Sequence, residues 1–267
     1  MIKVIVCGAA GRMGGRIIHM LAEAPDLVLT GAVEQSDHAA VGLDVGEVVG
    51  LPRLNLAISG NLAEVLPVGE IVIDFTNPEA TLHNLRLAAE AGKAVVIGTT
   101  GLSTPQLEEV RTLAQKIPVV MAPNMSVGVN LMFKIVADVA KVLKSGYDVE
   151  IVEAHHRLKK DAPSGTAMKL AQVIAQALDR NLEEVAVYER KGMIGQRTDA
   201  EIGIQTLRAG DIVGEHTVMF GGIGERLEII HRAHNRDNFA RGAVRAARWV
   251  ATQRPGLYDM QDVLGLK

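Results

Sequence analysis

The sequence has very little cysteine, and this limits the chemistry available to it. Cys7 is the only thiol among the 267 residues, so no disulfide can form within the chain. It lies in an apolar run, where a buried core thiol is expected. Neither an HExxH nor a CxxC pattern occurs, and the adjacent histidines of an extended strand point to opposite faces. A metal site is therefore not expected.

Strong net charge and long apolar runs are also missing. The formal net charge is -3, which gives no general attraction to nucleic acid. No apolar stretch reaches the length needed to span a membrane. The first residues lead directly into a strand pattern without the apolar run of a signal peptide. We therefore expect a cytoplasmic protein with neither nucleic acid nor membrane as a partner.

The composition that remains is that of a globular protein with a substantial core. Hydrophobic residues make up 48% of the 267 residues and charged residues 22%. No internal repeat or low-complexity tract is visible. This length is compatible with one large domain or two of moderate size.

The chain opens with a βαβ pattern. A β-branched apolar run at residues 2–7 predicts a buried strand, residues 12–24 an amphipathic helix, and residues 26–33 a second strand. Residues 36–55 contain several glycines and little periodicity, so they are predicted to form a long loop.

A glycine-rich turn joins the first strand to the first helix. Gly8, Gly11 and Gly14 give a GxxGxxG spacing, and Ala10 takes the place of the second glycine in the more familiar GxGxxG. Glycines let a backbone approach a pyrophosphate, and Glu34 after the second strand can accept hydrogen bonds from ribose hydroxyls. The pattern predicts dinucleotide binding; the alternative is a tight turn without a ligand.

Strands continue to alternate with helices as far as residue 121. Such a series predicts a parallel, doubly wound sheet that binds ligands at the carboxyl ends of its strands. Thr99, Thr100 and Asn124 fall at that edge, where they could meet a nicotinamide and its ribose, although turn chemistry alone could explain any one of them. The predicted elements are a short helix at 62–66, strands at 70–75, 94–97 and 118–121, and helices at 79–91 and 105–116.

The pattern changes after residue 126. A long helix is followed by strands joined through glycine-containing turns, which predicts an α+β domain with an open mixed, mostly antiparallel sheet. We expect a dinucleotide-binding domain at 1–126, completed by 236–267, and a substrate-binding and oligomerisation domain at 127–235. Its predicted elements are helices at 128–143 and 167–178 and strands at 147–155, 201–207, 212–220 and 225–234; a last helix follows at 239–251.

Residues 153–167 concentrate the polar chemistry of the second part. His155 and His156 precede Lys159, and Ser164 is placed to cap the helix that follows. The backbone N–H groups after Ser164 would lack intrahelical partners, and Gly165 would let an anion approach them. This predicts a carboxylate site beside a proton-transfer histidine, whose pKa is ordinarily near pH 7. The alternative is a capped helix after a basic loop.

Taken together, these motifs resemble those of bacterial dihydrodipicolinate reductases, also called 4-hydroxy-tetrahydrodipicolinate reductases. The resemblance runs nearly the whole chain and is carried by residues 8–14, 98–101, 124–130, 153–167 and 208–216. It implies that His155 and Lys159 are catalytic and that His156, Gly165 and Thr166 bind substrate, together with Ser164 at the helix start. The implied nucleotide contacts are Gly8, Ala9, Ala10, Gly11, Arg12, Met13, Glu34, Gly98, Thr99, Thr100, Ala122, Pro123, Asn124 and Met125.

The resemblance also implies a reaction and an assembly. The reaction is NAD(P)H-dependent reduction of 4-hydroxy-tetrahydrodipicolinate, a cyclic dicarboxylate, with loss of water, in lysine and diaminopimelate biosynthesis. The assembly is a homotetramer built through the second domain's sheet. The family often has a basic residue where Gln35 stands, histidine at Leu158 and an aromatic at Met125. Since Gln35 is neutral, we expect both nucleotides to work, with NADH modestly favoured.

Two other functions are compatible with parts of the sequence. A semialdehyde or amino-acid dehydrogenase would share the two-domain pattern, but a semialdehyde enzyme needs a catalytic cysteine, and Cys7 is in the first strand. A nicotinamide-sensing regulator would need a DNA-binding helix pair or a basic patch, and neither is evident.

Overall fold

The computed structural model describes all 267 residues. The strands are β1 (Ile2–Cys7), β2 (Leu27–Val33), β3 (Ile71–Asp74), β4 (Ala94–Ile97), β5 (Pro118–Met121), β6 (Asp148–His155), β7 (Ala186–Val187), β8 (Ile202–Arg208), β9 (Gly214–Gly222), β10 (Glu225–Ala233) and β11 (Gly256–Tyr258). The α-helices are α1 (Arg12–Ala22), α2 (Val45–Val49), α3 (Leu62–Val65), α4 (Pro78–Glu90), α5 (Thr104–Leu113), α6 (Val127–Leu143), α7 (Gly165–Ala177), α8 (Leu182–Val185), α9 (Asp237–Val250) and α10 (Met260–Leu264).

The chain divides into two compact units. The first comprises Met1–Val127 together with Arg236–Lys267, and the second comprises Gly128–Asn235. The sequence had suggested crossings near 126 and 236. None of the helices combines the length and the apolarity that crossing a bilayer would require.

The first unit is built on a six-stranded parallel sheet in the order β11-β5-β4-β3-β1-β2. Strands β3 and β4 are buried along their whole length, as expected when helices cover both faces of a parallel sheet. The strand order reverses at β1, because β2 lies on one side of it and β3 on the other. This is the switch point at which parallel α/β sheets bind ligands.

The predicted loop at residues 36–55 was wrong in part, because it contains helix α2. Asp44 caps this helix, and its carboxylate accepts hydrogen bonds from the backbone N–H groups of Gly46, Glu47, Leu54 and Leu56. The last two donors come from outside the helix. The carboxylate therefore folds the segment back on itself, and local glycine content could not reveal this.

The second unit has a five-stranded sheet in the order β10-β9-β6-β8-β7. β6 pairs antiparallel with β9 but parallel with β8, and β7 also pairs parallel with β8. The open mixed sheet is confirmed: the two antiparallel pairings, β10 with β9 and β9 with β6, contain most of the paired residues, and β8 and β7 add two parallel pairings. The core lies between the sheet and helices α6 and α7, and includes Phe133, Ile151, Leu170 and Phe220.

Candidate functional site

The turn after β1 has the shape that its glycines predicted. Gly8 has a φ of +72°, and a side chain on Gly14 would place its Cβ 2.0 Å from the carbonyl oxygen of Gly8. Only glycine fits at Gly14, because backbone cannot move aside. Gly11 is the N-cap of α1 and makes no side-chain capping bond. The first N–H groups of α1 are therefore not capped by that residue, and they can receive an anion.

Glu34 lies against the same turn. Its Oε2 accepts a hydrogen bond from the Ala10 N–H at 3.1 Å, and its Oε1 accepts one from the Gln35 N–H at 3.0 Å. A carboxylate has about four lone-pair positions, so two remain for hydroxyl donors. Beside it opens a cleft of about 360 Å³, lined by Cys7, Gly8, Val33, Glu34, Gln35, Gly60, Asn61, Leu62, Thr76, Asn77, Glu79, Ala80, His83 and Asn84. These residues include two acids and neither lysine nor arginine.

The loop after β4 is anchored by hydrogen bonding to Asp74, the last residue of β3. Thr99 is only 5% exposed, and its hydroxyl lies 3.3 Å from Asp74 Oδ1. A Cβ on Gly98 would fall 2.1 Å from the ring of Phe75, so this position also excludes a side chain. Because the Thr99 hydroxyl is engaged inside the protein, the nucleotide contacts predicted here depend on backbone groups and on exposed Thr100.

The loop after β5 is packed tightly within the first unit. Ala122 and Met125 are buried, whereas Pro123 is exposed. Asn124 Oδ1 accepts a hydrogen bond from the Ser126 N–H at 2.9 Å. A Cβ on Gly242 of α9 would fall 1.7 Å from the Met125 carbonyl oxygen, so α9 fixes the position of this loop.

In the second unit, polar residues continue the buried face of β6. Val149 and Ile151 point into the core, and Glu153 and His155 share their face because side chains alternate along a strand. Glu153 is 0% exposed and His155 is 9% exposed. A carboxylate at such a depth requires partners.

Glu153 has several partners. Arg208 on β8 donates from one guanidinium nitrogen to Oε2 at 2.8 Å and from the other to Oε1 at 2.9 Å. His155 Nδ1 lies 2.6 Å from Oε2, and the Ser164 N–H donates to Oε1 at 2.9 Å. Burial would raise the pKa of Glu153, but the hydrogen bonds from His155 and Arg208 outweigh it and lower the pKa to about 2. The carboxylate is therefore ionised at neutral pH.

A second buried histidine adjoins this cluster. The ring centroid of His216 is 5.3 Å from that of His155, in an edge-to-face arrangement. Its Nε2 lies 3.1 Å from Ser164 Oγ. Burial, helped by the nearby His155, lowers the pKa of His216 to about 3. His216 is therefore neutral at physiological pH.

Helix α7 has the N-cap that the sequence predicted, although it begins at Gly165 and not at residue 167. Ser164 is its N-cap, and its hydroxyl oxygen accepts a hydrogen bond from the Ala167 N–H at 3.1 Å. A Cβ built on Gly165 would meet nothing within 4 Å, so the helix start opens onto free space. Lys159 Nζ lies 2.9 Å from Asp161 Oδ1 in the preceding loop, and the Lys159 N–H donates to the His156 carbonyl oxygen at 3.0 Å.

The predicted residues divide between the two units: the nucleotide-contact residues lie in the first, and the residues predicted for proton transfer and substrate binding lie in the second. Glu153, Arg208 and His216 were not identified as site residues from the sequence, although all three lie within the segments 153–167 and 208–216 that carry the family resemblance. One signal was present: Glu153 and His155 continue an apolar alternation, so charge on a buried strand face was predictable. Arg208 depends on the register of β6 with β8, which pairs His155 with Arg208.

Comparisons with known proteins identify the family of the chain. Residues 2–125 match the family model described as "Dihydrodipicolinate reductase, N-terminus", and residues 128–264 match "Dihydrodipicolinate reductase, C-terminus". The chain belongs to the dihydrodipicolinate reductase family. The family expected from the sequence motifs is confirmed.

Full-length relatives strengthen the assignment. The 4-hydroxy-tetrahydrodipicolinate reductases of Syntrophus aciditrophicus (strain SB) and Syntrophobacter fumaroxidans (strain DSM 10017 / MPOB) are each 58% identical over 267 residues, covering 100% of both chains. Dipicolinate-bound dihydrodipicolinate reductase from Paenisporosarcina sp. TG-14 has a TM-score of 0.77, at 26% identity and 98% coverage of each chain. Amine dehydrogenase from Mycobacterium smegmatis, at 15% identity and a TM-score of 0.58 over 96% of this chain and 94% of its own, shares the fold alone.

Membership settles the enzyme class. Dihydrodipicolinate reductases are pyridine-nucleotide-dependent oxidoreductases with a nucleotide-binding N-terminal domain. The chain is therefore such an oxidoreductase, with the Rossmann-type parallel sheet and second mixed sheet described above.

Proposed function

We propose that this chain reduces 4-hydroxy-tetrahydrodipicolinate to tetrahydrodipicolinate with loss of water, using NADH or NADPH, in lysine and diaminopimelate biosynthesis. One observation carries the proposal: buried Glu153 is hydrogen-bonded both to His155 and to Ser164, the N-cap of an open helix start. A proton-transfer group and an anion site are thereby held together, as reduction of a cyclic dicarboxylate requires.

The first unit suits a dinucleotide. The Gly8 turn, the α1 N-terminus and the two remaining acceptor positions on Glu34 fit a pyrophosphate and a ribose. A bound nicotinamide nucleotide supplies the hydride for the reduction. We assign its contacts to the nucleotide-contact residues predicted from the sequence, between Gly8 and Met125.

The second unit suits a carboxylate. The N-terminus of α7 combines a helix dipole with backbone N–H groups and an approach left open at Gly165. We propose that His156, Ser164, Gly165 and Thr166 form the carboxylate site. The Paenisporosarcina relative carries dipicolinate, a planar pyridine dicarboxylate. We therefore expect dipicolinate to inhibit competitively against substrate; competition with the nucleotide alone would place the carboxylate site elsewhere.

Proton transfer falls to His155 and Lys159. Hydride addition to a conjugated imine leaves negative charge on the substrate, and this charge must be protonated. His155 offers Nε2, because Nδ1 faces Glu153, and the Lys159 ammonium offers both a proton and positive charge. Lys159 Nζ lies 2.9 Å from Asp161 Oδ1, in the loop that leads into α7.

The nucleotide preference follows from the cleft beside Glu34. A 2′-phosphate would bring about -1.5 to -2 charge into a lining that has Glu34 and Glu79 but neither lysine nor arginine. Arg12, at the first position of α1, is the nearby cation that could turn toward it. We therefore propose that both nucleotides are accepted and that NADH is modestly favoured.

We propose a homotetramer assembled through the sheet of the second unit. The edge strand β10 exposes Leu227 and Ile230, each at 43%, and the adjoining turn exposes Ile223 fully. Apolar side chains at an open sheet edge are a usual site of association. Light scattering after size exclusion would measure the mass, and a monomer at micromolar concentration would contradict the assembly.

The proposed reaction consumes nicotinamide nucleotides, and we therefore place the enzyme in the cytoplasm.

The direct test is oxidation of NADH or NADPH, followed by absorbance, with freshly generated substrate. His155→Ala and Lys159→Ala should each reduce kcat roughly 10²–10⁴-fold, because each removes a proton donor from the transition state. Nucleotide binding, measured by fluorescence titration, should stay intact. Lys160→Ala is the matched control: it removes an exposed neighbouring cation and should change kcat little. Near-normal kcat in both the His155 and Lys159 variants would remove these residues from the mechanism.

Gly165→Ala tests the carboxylate site. Within the protein the added methyl meets nothing, and alanine favours the helix, so the free energy of unfolding should stay the same or rise by about 0.4–1 kcal/mol. If a carboxylate occupies the space above Gly165, KM for substrate should rise at least roughly tenfold, equivalent to about 1.4 kcal/mol of lost binding. Unchanged KM in this stably folded variant would show that substrate does not approach the backbone there.

A further inference from the structure

We propose that Glu153 is a positioning residue that selects the protonated nitrogen of His155 and ties that imidazole to the substrate-binding helix start. The inference rests on the proposed role of His155 in proton transfer. Glu153 itself is 0% exposed, so it acts through His155 and Ser164.

The two carboxylate oxygens have separate partners. Oε2 faces His155 Nδ1 at 2.6 Å, and Oε1 accepts from the Ser164 N–H at 2.9 Å and lies 3.3 Å from the Thr206 hydroxyl. Arg208 donates to both oxygens. The arginine thus fixes the plane of the carboxylate, and each oxygen then points at one functional element.

This arrangement determines the state of the imidazole. An ionised carboxylate can only accept hydrogen bonds, so the nitrogen facing it must carry a proton. Nε2 of His155 is then the nitrogen that gains and loses a proton during catalysis. Gly214 leaves room beside it, since a Cβ there would lie 3.1 Å from Nε2.

The charges around His155 oppose one another. β6 contributes the Glu153 carboxylate, and β8 contributes the Arg208 guanidinium. β9 contributes neutral His216, and the loop before α7 contributes Lys159 paired with Asp161. Removing the negative charge of Glu153 should favour neutral His155, whereas removing the positive charge of Arg208 should favour the imidazolium.

Glutamine at this position would break the link for a geometric reason. An amide has one oxygen and one NH₂ group, whereas both Glu153 oxygens accept from fixed donors. In Glu153→Gln, either the His155 Nδ1–H or the Ser164 N–H must face another donor. One of the two functional elements therefore loses its support in every orientation of the amide.

The test is the pH dependence of kcat/KM in paired variants. We expect Glu153→Gln to lower kcat roughly 10–100-fold. One limb of the plot of kcat/KM against pH should depend on His155 and so disappear in His155→Ala. Glu153→Gln should move the midpoint of that limb to lower pH by about one unit. Arg208→Gln should move the same midpoint to higher pH. The control is Glu150→Gln on the opposite face of β6, where Glu150 pairs with Arg190 at 2.8 Å; it should leave the midpoint unchanged. A loss of structure alone cannot give opposite shifts, so shifts of the same sign, or none, would overturn the proposal.

A spectroscopic measurement keeps the proposal testable if Arg208→Gln folds poorly. In enzyme labelled with ¹⁵N-histidine, the His155 signals, assigned by their loss in His155→Asn, should show a proton on Nδ1 in the neutral ring, and this preference should weaken in Glu153→Gln. A wild-type proton on Nε2 would refute the positioning role. This result is independent of turnover: if His155→Ala kept normal activity, the proposed mechanism would fail while the contact with Glu153 could still be measured.

Discussion

Each unit buries one carboxylate near the carboxyl end of a strand, and the two are held in different ways. Asp74, the last residue of β3, is 1% exposed and is surrounded by neutral donors: the hydroxyls of Thr76, Thr81 and Thr99 and the amide of Asn84. Glu153 of β6 is 0% exposed and is held by Arg208 and His155. The two carboxylates are equally buried. Their partners differ, because those of Asp74 are neutral, whereas those of Glu153 are a charged arginine and a histidine that can exchange a proton.

The difference separates scaffold from chemistry. Hydroxyl and amide donors have fixed protonation near neutral pH, so the Asp74 cluster can only hold the loops after β3 and β4 in place. An imidazole can both donate and accept a proton, so the Glu153 cluster, which includes His155, can take part in acid–base chemistry. A buried carboxylate therefore indicates function through its partners and not through its depth.

Asp74→Asn should lower the free energy of unfolding without changing the dependence of kcat/KM on pH. Asn84 Nδ2 donates to Oδ2 at 2.7 Å and the Thr76 N–H to Oδ1 at 3.1 Å, and an amide can accept from only one of these donors. The resulting mismatch should cost about 1–3 kcal/mol of unfolding free energy, measured by urea denaturation. The midpoints of kcat/KM against pH should stay in place. A shifted midpoint would break the contrast with Glu153.

His216 should make the stability of the second unit depend on pH. Its folded-state pKa of about 3 lies below the ordinary 6.5, so the unfolded chain binds the proton first as pH falls. Stability is then lost between about pH 6.5 and pH 3, by up to about 1.4 kcal/mol per pH unit for one proton. Glu153 adds to this loss of stability only at lower pH, between about pH 4.5 and about pH 2.

The contribution of His216 can be isolated between pH 6.5 and 4.5, above the window in which Glu153 acts. In His216→Gln, which keeps a polar group near Ser164 Oγ, the unfolding free energy should fall less steeply over this range than in the wild type. Parallel curves for the two proteins would mean that His216 is not held neutral.

Gln35→Arg would introduce a cation into the cleft beside Glu34, whose lining contains neither lysine nor arginine. An arginine could pair with a 2′-phosphate and offset the repulsion from Glu34, shifting preference toward NADPH by about 1 kcal/mol or more. The measurement is kcat/KM for each nucleotide at low and moderate salt, in wild type and variant. A wild-type enzyme that already strongly prefers NADPH would show that another cation holds the phosphate.

The parts of the fold that the sequence predicted are those with a purely local signal. Strands β1, β4 and β5 were placed at their observed bounds, because short β-branched runs between glycine or proline residues identify buried strands. Several short elements were missed, among them helix α2 and strand β11. The first depends on distant donors to Asp44, and the second has three residues, Gly256–Tyr258, defined by pairing with β5.

The candidate site divides in the same way. The helix cap at Ser164 and the turn at Gly8 follow from local residue types and were predicted with their chemistry. Arg208 of β8 and His216 of β9 lie more than fifty positions from Glu153 along the chain, and strand register brings them to it. Local patterns reveal that a buried charge needs a partner, but not which residue supplies it.

The discontinuous first unit has a consequence for biosynthesis. When the ribosome has made Asn235, the second unit has its whole sequence, whereas the first still lacks Arg236–Lys267. That missing segment includes α9, whose Ala243 and Ala247 belong to the same core as β1, and the edge strand β11. The later part of the chain can therefore finish folding before the earlier part. A stop codon just after Asn235 would leave a nascent nucleotide-binding unit with an open core, exposed to chaperones and proteases.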